Sequence, residues 1–129
     1  MKRITIFVII AVLLLGLVGC KTETGPSYSK FCSGDDEAID ALKSAIATLD
    51  DCANGKITVE DAVEDLEIII NRLKPGETQV QEITCTRLSV SQRAISLAAL
   101  KEKYGDITHN ELMQAVEAER DKLLGTLYE

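Results

Sequence analysis

The sequence predicts an all-α fold, a four-helix up-down bundle built from two successive helical hairpins. Apolar residues recur every three or four positions along four stretches after residue 34, which is the period of an amphipathic helix. Glycine or proline ends each of the first three stretches, and a residue able to cap a helix opens the next one. Short connections favour antiparallel neighbours, and no strand or hairpin pattern competes with this prediction.

The first hairpin joins two helices through a short turn. Its first helix covers residues 35–54 and carries acidic residues in its first turn, where the helix dipole favours negative charge. Gly55 provides a left-handed exit, and Thr58 caps a second helix that ends before Pro75. Ile57 is placed to pack on the first turn of that helix. The apolar face of the first helix comprises Ala38, Leu42, Ala45, Leu49 and Cys52.

The third helix is the least regular of the four. A helical pattern covers residues 79–104, but its first half is rich in β-branched side chains. Ser89 and Gln92 have the spacing of a capping box and could start a new helix. We therefore expect either one continuous helix or a break between Thr84 and Val90.

Two similar turns, 50 residues apart, relate the hairpins to each other. Gly55-Lys56-Ile57-Thr58 is matched by Gly105-Asp106-Ile107-Thr108, after which Glu111 completes a capping box for the last helix. The repeat indicates either common ancestry of the hairpins or the residue pattern that such a turn requires. Both turns should lie at one end of the bundle. Arg120 interrupts the apolar face of the last helix and could form a buried ion pair or extend to solvent.

The N-terminus has the pattern of an export signal. A short positive segment precedes a charge-free apolar run over residues 4–18, about the length of a signal peptide. The run closes on Leu17-Val18-Gly19-Cys20, which resembles the lipobox of prokaryotic lipoproteins. The resemblance implies that residues 1–19 are a signal peptide, that cleavage occurs before Cys20, and that Cys20 carries a covalent lipid. The alternative is an uncleaved N-terminal membrane helix.

Such an anchor implies an extracytoplasmic protein held by lipid to the cell membrane or the outer membrane. Lys21 stands where an inner-membrane retention signal would have Asp, so the outer membrane is favoured in a cell with two membranes. Residues 20–34 form a lipidated, mostly polar tether, followed by a helical domain over residues 35–129. Phe31 and Cys32 interrupt the polarity of the tether, so we expect its end to dock on the domain.

Charge limits the kinds of partner. Without residues 1–19 the chain has 12 basic and 21 acidic side chains, a formal charge of −9. Such a surface repels phosphate backbones, so nucleic acid is excluded as a partner. Tryptophan is absent and aromatic residues make up 4% of the chain, so a stacking platform for bases is not expected.

Three cysteines remain once Cys20 is assigned to lipid. In the up-down arrangement Cys32 and Cys85 belong to one end of the bundle and Cys52 to the other. The ends are about 24 Å apart, whereas a disulfide needs Cα atoms within about 7 Å. We therefore predict a Cys32–Cys85 disulfide, with Cys52 as a buried apolar side chain.

Residues 50–61 resemble an EF-hand calcium loop. The resemblance implies calcium ligands from Asp50, Asn54, the Lys56 carbonyl and Asp61. The segment departs from the family at its third position, which is Cys52, and at its last, where Asp61 is shorter than the usual Glu. Helix capping accounts for nearly the same residues without a metal, so both interpretations stay open.

No catalytic set is apparent in the sequence. His109 is the only histidine and has no cysteine or serine partner at a motif spacing. We therefore expect a non-enzymatic, lipid-anchored module that has a binding or structural role in the cell envelope and an envelope protein as its partner. A calcium-responsive module is the alternative, and a deep polar pocket would favour an enzyme.

Overall fold

The computed structural model describes residues 27–128 of the chain. Within that range it contains four helices, α1 (Asp36–Ala53), α2 (Val59–Leu73), α3 (Gln79–Lys103) and α4 (His109–Leu127). Each helix begins after a residue whose side chain accepts a hydrogen bond from the backbone N–H three positions on, namely Asp35, Thr58, Thr78 or Thr108. The predicted all-α class is confirmed, and the caps satisfy N–H groups that have no partner inside a helix.

The helices pack as an up-down bundle. Consecutive helices contact each other, α1 also packs against α4, and α1 touches α3 across the centre, whereas α2 and α4 do not meet. The core is aliphatic, and burying each such side chain contributes about 2 kcal/mol. Its largest fully buried apolar side chains are Leu42, Leu49, Leu66, Leu88, Ile95, Val116, Leu123 and Leu127.

Helix α3 is continuous through the region where a break was one of two expectations. The hydroxyl of Thr84 donates to the carbonyl of Val80 at 2.8 Å, which satisfies this buried group inside the helix. Gln92 does not cap a new helix. Its amide instead donates to the carbonyl of Val63 at 3.0 Å and to the carboxylate of Glu67 at 2.9 Å, which joins α3 to α2.

The two Gly-x-Ile-Thr turns have the same backbone structure. Gly55 and Gly105 adopt φ values of 78° and 82°, a region in which a side chain is strained. In each turn the N–H of the next residue donates at 2.8 Å to a carbonyl five positions back, the Schellman arrangement of a helix end. Thr58 or Thr108 then caps the following helix. These hydrogen bonds account for the sequence repeat without requiring ancestry.

The tether docks on the opposite end of the bundle, which we call the tether end (residues 28–35, 74–78 and 124–128). Cys32 is fully buried there, as predicted for the end of the tether, and Phe31 is half-buried. The backbone N–H of Ser29 donates to the carbonyl of Leu127 at 2.8 Å. The rings of Tyr28 and Tyr128 stack with centroids 5.7 Å apart.

Asp35 ties the start of α1 to the connection between α2 and α3. One of its carboxylate oxygens accepts from the hydroxyl of Thr78 at 2.6 Å, and the other accepts from the amide of Gln81 at 3.0 Å. These hydrogen bonds lower the pKa of Asp35, because they favour its charged form. The start of α1 and the α2–α3 connection therefore lie at the same end of the bundle, as the up-down order requires.

The predicted Cys32–Cys85 disulfide is wrong. Cys32, Cys52 and Cys85 are all free thiols. The sulfur of Cys32 lies 3.6 Å from the carbonyl oxygen of Leu127 in α4, whereas that of Cys85 lies 3.9 Å from the carbonyl oxygen of Ile70 in α2. The two cysteines share an end of the bundle but face different helices, since the helical period points Cys85 toward α2.

The lipobox and the first part of the tether, residues 20–26, precede the part of the chain that is described. The signal peptide at residues 1–19 and the lipidation of Cys20 lie outside the described residues and stay predictions. Among the helices of residues 27–128, none combines the length and the apolar character that crossing a membrane requires.

Candidate functional site

A cleft of about 900 Å³ opens at the end of the bundle that holds the two glycine turns (residues 54–58 and 104–108), which we call the turn end. This volume lies within the usual range of ligand sites, about 300–1,000 Å³. The cleft is lined by the first turns of α2 and α4, the last turns of α3 and the α1–α2 turn. Its lining residues are Cys52, Gly55, Ile57, Thr58, Val59, Glu60, Val63, Glu64, Ser96, Ala99, Leu100, Glu102, Lys103, His109, Leu112 and Met113.

The cleft begins where the hydrogen-bonded bridge between α2 and α3 ends. Gln92 joins α3 to α2 through Val63 and Glu67, and the lining residues of α3 all follow it toward the turn end. Ser96 and Ala99 are small, so they leave space beside α2 that longer side chains would fill. Cys52 and Leu112, only 1% and 3% exposed, form the apolar base.

One edge of the cleft is apolar. Leu100 lines the cleft and is 47% exposed. Outside the lining, Leu97 and Tyr104 continue the apolar surface of α3 at 54% and 71% exposed. The spacing of these three residues, three and four positions, places them in one row along the helix. Half-buried Met113 adds a flexible thioether to the lining. A row of exposed large apolar side chains beside a cleft is typical of a binding surface.

The other edge is acidic. Glu60 and Glu64 line the cleft. Glu67 lies outside the lining, accepts a hydrogen bond from Gln92 and continues the row along α2, at intervals of four and three positions. None of them takes part in a salt bridge with any residue between 27 and 128. Lys103 is the one lysine of the lining.

The cleft also brings together Cys52 and His109, which are far apart in the sequence. Burial raises the pKa of the Cys52 thiol, and the nearby charge of Glu60 raises it further. A nucleophilic cysteine needs a lowered pKa, because the thiolate is the reactive form. The ring of His109 is exposed, and its Nδ1 lies 2.8 Å from a carboxylate oxygen of Glu102. The arrangement therefore does not supply an activated thiol.

The four residues of the calcium prediction lie around the first glycine turn. One oxygen of Asp50 accepts a hydrogen bond from Arg120 at 2.9 Å, and the other accepts from the amide of Asn54 at 3.4 Å. The backbone of Lys56 closes the turn, and the N–H of Asp61 donates to the capping threonine. Arg120 thus forms a partly buried ion pair, which was one of its two expected roles.

No group of three or more His, Cys, Asp or Glu side chains within residues 27–128 is arranged to hold a metal ion. Capping and the ion pair with Arg120 already account for the positions of the proposed ligands. Calcium binding stays a prediction, and a thermal shift at millimolar calcium tests it.

Sequence reasoning missed one buried acid, Glu119 of α4. It is 6% exposed, and one of its carboxylate oxygens is buried without a hydrogen-bond partner among the described residues. The other oxygen accepts from Lys122 at 3.1 Å. The signal was available, because Glu119 follows Val116 by three positions and precedes Leu123 by four, on the apolar face of the helix.

Comparison of the chain with protein-family models, with curated proteins and with solved structures found no match.

Proposed function

We propose that the protein is a lipid-anchored, non-enzymatic module of the cell envelope that binds another envelope protein through the cleft at the turn end. The observation that carries this proposal is the open, largely apolar cleft, whose acidic edge remains without ionic partners among the described residues. A surface of this kind is typical of recognition rather than of a closed reaction site.

The position of the cleft relative to the proposed anchor supports this function. The chain enters the bundle at the tether end, where Ser29 and Cys32 pack against the last turn of α4. An 18-residue helix such as α1 spans about 27 Å, so the cleft lies about that far from the entry point. A lipid on Cys20 would therefore present the cleft away from the membrane.

The chemistry of the cleft favours binding over catalysis. Its base is apolar, and its thiol, Cys52, is buried with a raised pKa. Its histidine, His109, lies exposed at the rim and pairs with Glu102. A reaction site would instead bring several polar groups together within the pocket.

Site-specific photocrosslinking in living cells tests the binding role. A photoreactive residue in place of Leu100 should form a discrete adduct with one envelope protein, identified by sequencing its crosslinked peptide. The matched control is Ile68, which is 51% exposed on α2 and does not line the cleft. Equal labelling from both positions, or none from position 100, would contradict the proposal.

Metabolic labelling with an alkyne fatty acid tests the anchor. The wild-type chain should incorporate the label and sediment with membranes, whereas Cys20→Ser should not incorporate the label. An unlabelled wild-type chain that stays in the membrane would instead favour the uncleaved N-terminal helix.

A further inference from the structure

We infer that the segment bound by the cleft is a basic amphipathic helix of the partner, with Leu-like side chains on one face and Lys or Arg beside them. This inference rests on the proposed function and adds the chemistry of the partner. It is carried by the different character of the two edges of the cleft, which are apolar on α3 and acidic on α2.

The apolar edge fixes one face of the ligand. Leu97, Leu100 and Tyr104 extend over seven residues of α3, about 10 Å, which is the length of two turns of a helix. A helix lying in the cleft would contact Leu100 and the apolar base near Leu112, and Leu97 and Tyr104 would extend the apolar surface beyond the lining. Helix-in-groove binding uses anchors at this spacing on the ligand.

The acidic edge fixes the charge of the ligand. Glu60, Glu64 and Glu67 are exposed on α2 and form no salt bridge with residues of the described part of the chain. A ligand with Lys or Arg on its flank would pair with this row, whereas an acidic ligand would be repelled. Complementary charge of this kind orients the ligand and speeds association.

The segment that joins the proposed lipid site to the described residues does not reach the cleft. Residues 21–26, between the proposed lipid site and the described part, could extend at most about 22 Å. They start from the tether end, and the 18-residue helix α1 places the cleft about 27 Å away. A second copy of the protein would bring another acidic surface to the same edge, so like charges would oppose self-association.

A binding experiment with designed peptides tests the inference. The full chain is held in phosphatidylcholine nanodiscs on a biosensor, and empty nanodiscs provide the reference. The probe is an 18-residue amphipathic helical peptide of Leu and Lys, compared with a peptide of identical pattern in which Glu replaces Lys. We expect the Leu/Lys peptide to bind at least tenfold more tightly, with a difference that shrinks as salt is added.

Variants locate the binding. Leu100→Glu and Glu64→Lys should each weaken binding of the Leu/Lys peptide at least tenfold. Ser96→Trp, which fills the cleft without changing its charge, should weaken it as well. The matched controls Ile68→Glu and Glu117→Lys alter exposed residues that do not line the cleft and should change binding less than twofold. Equal thermal midpoints of Leu100→Glu and Ile68→Glu show that folding is not the cause.

The outcomes separate the inference from the proposed function. Binding of the Leu/Glu peptide alone, abolished by Leu100→Glu, would overturn the basic ligand while supporting the cleft as a docking site. If Leu100→Glu and Ser96→Trp leave the affinity for the Leu/Lys peptide unchanged, the inference is overturned, because binding would then reflect charge alone. Absence of binding by both peptides would also overturn it, while crosslinking from position 100 tests the proposed function independently.

Discussion

The two ends of the bundle are built from similar capped helix ends but differ in how they are closed. At the tether end the docked segment covers the end of α4, and Asp35 bonds to the α2–α3 connection. At the turn end no further segment within residues 27–128 covers the gap between α2 and α3, and the cleft stays open. The tether end therefore contributes to the stability of the fold, whereas the turn end leaves apolar surface exposed for binding.

The largest expected effect on stability comes from replacing one leucine at each end of the bundle by alanine. Leu127→Ala removes a core side chain that is 1% exposed, so it should lower the free energy of unfolding by about 3 kcal/mol. Leu100→Ala at the cleft should change it by less than about 0.5 kcal/mol, because the side chain is already half exposed. Urea unfolding followed by circular dichroism measures both. Similar losses of unfolding free energy in the two variants would show that both ends contribute equally to stability.

The two glycine turns should respond alike to substitution. Gly55→Ala and Gly105→Ala should each lower the free energy of unfolding by about 1 kcal/mol, because alanine is strained at positive φ. Gly125→Ala near the tether end should raise it by about 0.5 kcal/mol, since this glycine lies within α4 and has open space around it. Thermal unfolding of the three variants measures the contrast. A large difference between the twin turns would show that they are not equivalent.

The tether end should also lose stability in acid through Asp35. Its pKa is lowered in the folded state, so its charge stabilises the fold above the ordinary value of 3.8, and this contribution is lost as the pH falls through the folded pKa. Asp35→Asn should therefore be less stable than wild type at pH 6, with the gap shrinking by pH 2. Thermal midpoints across this range measure it. The control Asp106→Asn at the turn end should show a smaller change, and equal pH profiles would contradict the role of Asp35.

The smallest expected effect concerns the cysteines. A reducing agent should leave the unfolding midpoint of the protein unchanged, because Cys32, Cys52 and Cys85 are free. On the chain-entropy model, the predicted Cys32–Cys85 disulfide would have raised the free energy of unfolding by about 4 kcal/mol. Mass spectrometry of unreduced peptides checks the same point. A bridged Cys32–Cys85 peptide would show that the tether end is held covalently.

Much of the fold could be predicted because its signals are local. Thr58 and Thr108 cap helices through bonds to residues three positions on, and Gly55 and Gly105 permit the turns between helices. The continuity of α3 was left open because β-branched residues weaken a helix in isolation. The bond from Thr84 to Val80 inside the helix, and that from Gln92 to α2, were not visible in the sequence pattern.

Local sequence patterns could not predict the cleft or the pairing of the cysteines. Cys32 and Cys85 lie at one end of the bundle, but a disulfide also requires that the two side chains face each other. Cys32 instead faces α4, and Cys85 faces α2. The sequence shows that Glu60, Glu64 and Leu100 belong to helices. It does not show that they lie around one cleft, because that depends on the spacing of α2 and α3 beyond Gln92.

Local sequence patterns are enough to predict the four helices, their caps, the up-down order and the acidic character of the surface. These properties depend on contacts between residues close in the chain and on composition. Packing of the helices against one another sets which side chains share an interface, keeps the cysteines apart and leaves the turn end open. Such features depend on the rotation and spacing of whole helices, which are set by packing of the core rather than by any one segment.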